Sequence, residues 1–74
     1  MTPYAEIRRL TFALEAGRDV RHLERSAAIG LWRARLLATP ELRQIPAAQA
    51  RRRSLLLCVR AYESLIRHHR RQTP

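Results

Sequence analysis

Glycine occurs only twice in this chain, at Gly17 and Gly30, and no stretch alternates apolar and polar residues with a period of two. A half-buried strand needs that alternation. Alanine, leucine and arginine dominate instead, and all three are strong helix formers. The fold class is therefore all-α. Thr2-Pro3 and Thr39-Pro40 each read as an N-cap followed by proline at the first helical position. Gly17 before Arg18-Asp19 reads as a C-terminal glycine and then a fresh N-cap. Ile45-Pro46 reads as another start, since proline disfavours helix at the residue before it. These signals predict helices near 3–16, 20–38 and 47–71, with a short helical turn near 40–44. They describe one domain over 1–74, a small three-helix bundle or helical hairpin.

At ~100° per residue the apolar positions sort into faces. The first helix groups Ile7, Leu10 and Leu14, with Phe12 off that stripe. The second has a seam at Val20, Leu23, Ala27, Gly30, Ala34 and Leu37, the spacing of a packed helical hairpin. Its small residues let another helix come close. The same helix carries a second apolar strip, Ile29, Trp32 and Leu36, on its opposite side. The third groups Leu55, Cys58, Val59, Ala61, Tyr62, Leu65 and Ile66. Arg53, Arg60, Arg67 and Arg71 fall opposite, and Arg51 sits oddly among the apolar positions.

A chain of 74 residues is at most one domain. It buries only ~60% of its unfolded surface, so its core is marginal without a supplement. One cysteine, Cys58, rules out an internal disulfide. Oligomerisation or a partner is the natural remedy, and a homodimer is expected. Cysteine poverty fits a reducing, cytoplasmic setting. No uncharged run exceeds seven residues, far below the ~20 that span a membrane. No signal-peptide core follows Met1.

The net charge is +9, and every basic residue is arginine. Residues 1–37 hold seven arginines against four acids, residues 38–74 eight against two, so the C-terminal half is the more basic. Such a balance suggests an anionic partner. If Arg53, Arg60, Arg67 and Arg71 each met one phosphate, the salt slope would be about −3.6 and binding would fall ~150-fold between 50 and 200 mM salt. That is sequence-blind attachment. The 51–71 segment carries no asparagine or glutamine for base reading.

Catalytic chemistry finds little footing. A nucleophile needs an activating base and an orienting group, and Cys58 lies amid apolar positions. Cys58, His22, His68 and His69 match no zinc spacing. The acids are scattered, each near an arginine in sequence or one helical turn away, which suggests local surface pairing. No glycine-rich phosphate loop is present. The chain reads as no enzyme, with no cofactor and no metal. Trp32 is either core, covered by the first helix or the 39–46 turn, or an anchor for a second subunit or partner.

In order along the chain stand Tyr4, Leu14-Glu15, Gly17-Arg18-Asp19, Ala27-Ala28, Leu31-Trp32, Ala34, Ala38, Arg51-Arg52-Arg53 and Cys58. This order over residues 4–58 resembles the small AraC-negative-regulator group and the related PerC-type activators. The resemblance implies a small helical protein without enzymatic activity that tunes transcription by binding other regulators or nucleoid proteins. The leading expectation is a regulator acting by protein–protein contact, with Ile29, Trp32 and Leu36 as partner anchor. Two alternatives are a nucleic-acid-binding module using Arg53, Arg60, Arg67 and Arg71, and a small inhibitor of a phage or host defence system.

Overall fold

The computed structural model describes residues 2–72. It is all-α, with no strand among these residues. The helices are α1 (Pro3–Glu15), α2 (Val20–Leu36), α3 (Pro40–Arg43) and α4 (Pro46–Gln72). Their ends follow the local chemistry. The Thr2 hydroxyl accepts from the Ala5 N–H at 3.1 Å, and Asp19 accepts from the His22 N–H at 2.9 Å. Each satisfies a backbone donor that the first helical turn leaves unpaired. Thr39 stands at the start of α3 but its side chain makes no capping bond; its carbonyl takes the Leu42 and Arg43 N–H groups instead. Gly17 does not act as a left-handed C-cap. Among the described residues none has positive φ, and the α1–α2 turn closes through Arg18 N–H donating to the Glu15 carbonyl.

Helix α4 is the spine. Both α1 and α2 pack on it far more than on each other. The assembly is elongated and flattened, 46 × 27 × 16 Å. Helix α2 runs antiparallel to α4: Gly30 lies against Val59, and Glu24 pairs with Arg70. Helix α1 runs alongside α4 in the same sense, with Tyr4 on Arg60, Arg8 on Ser64 and Phe12 on His68.

The core forms where the α2 seam meets the apolar face of α4. Leu23, Ala27, Leu65 and Ile66 are buried, and Phe12, Val20 and Tyr62 pack against them. Ala34, Val59 and Ala61 are buried beside this cluster. The small seam residues decide how close the helices come. A Cβ built on Gly30 would lie 2.8 Å from Val59 Cγ2, nearer than real Cβ contacts, so any larger residue there forces Val59 or the helix crossing to shift.

Helix α1 departs from the expected face. Its inner side is Tyr4, Arg8, Thr11, Phe12 and Glu15, rotated about one residue step (~100°) from Ile7, Leu10 and Leu14. Thr11 is buried, whereas Leu10 is 43% and Leu14 76% exposed. The gain lies in the partners: Phe12 reaches the core, Arg8 Nε donates to Ser64 Oγ at 3.2 Å, and Tyr62 donates to Glu15 Oε1 at 3.1 Å.

The corner between α2 and α4 hangs on one residue that the apolar pattern does not flag. Gln49 Nε2 donates to the Leu37 carbonyl at 3.2 Å and to the Leu42 carbonyl at 2.9 Å. It thereby satisfies the frayed end of α2 and the α3 turn together. Arg43 Nε adds a bond to the Ala38 carbonyl at 2.9 Å. Gln49→Ala is expected to cost about 1–3 kcal/mol, because two partly buried carbonyls lose their donor. The check is a urea melt. Hydrogen exchange should quicken first at residues 37–45.

Candidate protein-docking surface

The seam of α2 faces α4, so residues about half a helical turn away point to solvent. Ile29 is 42%, Trp32 60% and Leu36 49% exposed. Neither α1 nor the 39–46 segment covers Trp32. With α1 placed against α4, this flank of α2 is left bare.

Ile29 and Leu36 continue into a groove between α2 and α4. Its upper hollow, about 340 Å³, is lined by Ile29, Gly30, Arg33, Leu55, Cys58 and Tyr62, among others. Its lower hollow, about 190 Å³, is lined by Arg33, Leu36, Leu37, Arg51 and Leu55. Arg33 and Leu55 line both, so the two hollows adjoin along one α2–α4 trough, and the lower one has arginine on both walls, Arg33 from α2 and Arg51 from α4. Trp32 lines neither hollow and stands exposed on α2 between Ile29 and Leu36 in sequence. Cys58, half-buried, is part of the trough wall.

A polar knot sits at the upper end. The Glu15 carboxylate takes the Tyr62 hydroxyl and lies 3.5 Å from both Arg18 Nε and His22 Nε2. Burial pushes the Tyr62 phenol above its ordinary pKa, and its hydrogen bond to the Glu15 carboxylate pushes the same way. Local surface pairing therefore accounts for only part of the acids. Glu15–Arg18 is local, Glu24–Arg70 joins α2 to α4, and Asp19 serves as a cap.

No family model, curated protein or solved structure matches this chain.

The arginine row lies on the outer side of α4. Arg53, Arg60, Arg67 and Arg71 are all exposed. Its middle is already engaged. The Arg60 guanidinium stacks over the Tyr4 ring, 4.3 Å from the centroid. Arg67 shares a hollow with Glu24, Glu63 and Arg70, so two carboxylates border it. Arg53 and Arg71, at the two ends of the row, make no ion pair among the described residues.

The apolar pattern places Ile29, Trp32 and Leu36 on one flank but gives no sign of what lies beside them. Arg33 and Arg51 are walls of the trough, and the odd position of Arg51 among apolar residues was the available signal. Among the described residues no group of three or more His, Cys, Asp or Glu could hold a metal ion. None of the helices is long and apolar enough to cross a membrane, again among the described residues.

Proposed function

We propose that this protein is a small non-enzymatic regulator that works by protein–protein contact, with Ile29, Trp32 and Leu36 as its hydrophobic anchor. In line with the resemblance to small helical regulators, its target is a transcription regulator or a nucleoid protein. The observation that supports this reading is Trp32, 60% exposed between two further exposed apolar side chains. Large apolar groups exposed together mark interaction sites far more often than scattered single ones, and tryptophan is enriched at binding hot spots.

Area alone limits what the strip can do. Roughly 400 Å² of apolar surface yields ~10 kcal/mol gross, while association costs ~4–15 kcal/mol. The strip is thus the centre of a larger interface that takes in the trough. A second copy of the chain or a different protein can supply the other side.

Trp32→Ala should leave the helical spectrum unchanged, because the side chain lies outside the core cluster. It should weaken self-association or partner capture by at least ~30-fold, the hot-spot range. Sedimentation equilibrium and pull-down from the native host check this. Identical assembly and capture for wild type and variant would sink the anchor.

The nucleic-acid reading draws on the same net charge but has weaker support. Its row of arginines is interrupted by the Tyr4 stack and the bordering carboxylates. The one aromatic ring described in the row, Tyr4, is already stacked under Arg60, so the row offers no series of rings for single-stranded bases.

A further inference from the structure

We infer that the α2–α4 trough receives an acidic amphipathic helix of another protein, apolar residues on Ile29, Leu36 and Leu55, carboxylates on Arg33 and Arg51. This rests on the protein-contact reading and names the chemistry of the partner.

The trough runs from Arg51 to Tyr62 along α4, about 16 Å or three helical turns. A groove between two helices accepts a third through residues spaced i, i+3, i+4 and i+7. Arg33 and Arg51 are exposed on its walls and make no ion pair among the described residues. The acids with ion-pair partners are engaged elsewhere, Glu15 at Arg18 and His22, Glu24 at Arg70. The end of the molecule around the lower hollow carries Arg33, Arg35, Arg43, Arg51, Arg52 and Arg53 against Glu41 alone. An arginine beside an apolar floor is suited to a carboxylate, because its planar fork donates two parallel hydrogen bonds and is weakly hydrated.

Charge decides between the two candidate occupants. A second copy also carries +9 and brings the same arginines, so filling the trough with it crowds like charges over a desolvated surface. An acidic helix neutralises the walls as it covers the floor.

The test uses the whole chain and a synthetic helical peptide of about 14 residues, ~21 Å long. It carries leucine at i, i+4 and i+7 with flanking glutamates; one twin carries glutamine and another lysine in place of every glutamate. Trp32 is the single tryptophan and reports binding by its emission. The glutamate peptide is expected to saturate the protein, and the glutamine twin to bind at least tenfold more weakly. The Arg33→Glu/Arg51→Glu variant, whose altered positions are exposed, is expected to lose the glutamate peptide and gain the lysine twin. This exchange separates lost charge from lost fold. Three results would overturn the inference: no binding of the glutamate peptide, equal binding of the glutamate and glutamine peptides, or a self-association that Arg33→Glu/Arg51→Glu strengthens and the peptide cannot displace. If the peptide fails while Trp32→Ala still abolishes assembly or capture, the contact reading stands and only the occupant is wrong.

Discussion

Leu65→Ala should leave much of the protein unfolded at physiological temperature. Leu65 is fully buried, at 0% exposure, in the cluster that joins α2 to α4. Truncating a buried leucine to alanine costs about 2–5 kcal/mol, the transfer term plus the cavity left behind. The upper half applies here, because Leu23, Ala27 and Ile66 sit on helices whose spacing is held by other contacts and cannot collapse into the gap. A core in a chain this small supplies only ~3–5 kcal/mol. The loss therefore approaches the whole stability. For a domain of this size each kcal/mol moves Tm by roughly 4–8 °C, so a fall of about 15–40 °C is expected. Circular dichroism melts of wild type and variant at equal concentration measure it. A drop of only a few degrees would mean that Leu65 is not central to the core.

Substitution at Gly30 should act through distance rather than through a cavity. Glycine costs about 1 kcal/mol relative to alanine inside a helix, so Gly30→Ala would stabilise an unencumbered α2. Here the new methyl would meet Val59 Cγ2 at 2.8 Å. Valine is stiff at χ1 and cannot swing aside within a helix. Overpacking of this kind costs roughly 1–3 kcal/mol, which outweighs the propensity gain. Gly30→Leu should be worse, at or beyond the top of that range, because it forces the two helices apart along the whole seam. The diagnostic is a double-mutant cycle. Val59→Ala vacates the volume that the methyl introduced by Gly30→Ala needs. The Gly30→Ala/Val59→Ala pair should therefore be more stable than the sum of the single changes predicts, by ~0.5–3 kcal/mol. Additive losses would show that Gly30 is not required for the close approach.

Much of the frame was legible along the chain because its causes are local. Thr2 and Asp19 cap the helices they precede through bonds that span three residues. The small-residue seam of α2 and the apolar face of α4 follow from a fixed angular step, and both meet in the core. The flank bearing Ile29, Trp32 and Leu36 was equally visible as a second apolar strip. Whether Trp32 was covered was not, because that depends on where α1 lies.

Helix α1 shows why. Its apolar stripe is Ile7-Leu10-Leu14, whereas the side that turns inward has only Tyr4 and Phe12 as large apolar members. Periodicity pointed to the stripe, yet Leu10 and Leu14 are left exposed. The choice fell to partners far away in sequence: Arg60 for Tyr4, Ser64 for Arg8 and Tyr62 for Glu15. The same holds for Gln49, whose two bonds cross from α4 to the α2–α3 corner and leave no periodic trace.

By itself the sequence determined that the protein is helical, where most of its helices start, and which faces of α2 and α4 meet. Capping and periodicity are short-range, and a few residues suffice to specify them. Only the tertiary structure decided which edge of α1 turns inward, that Arg60 is engaged by Tyr4, and that Arg33 and Arg51 wall one trough. Each of these depends on side chains far apart in sequence, brought together by packing that no local pattern encodes.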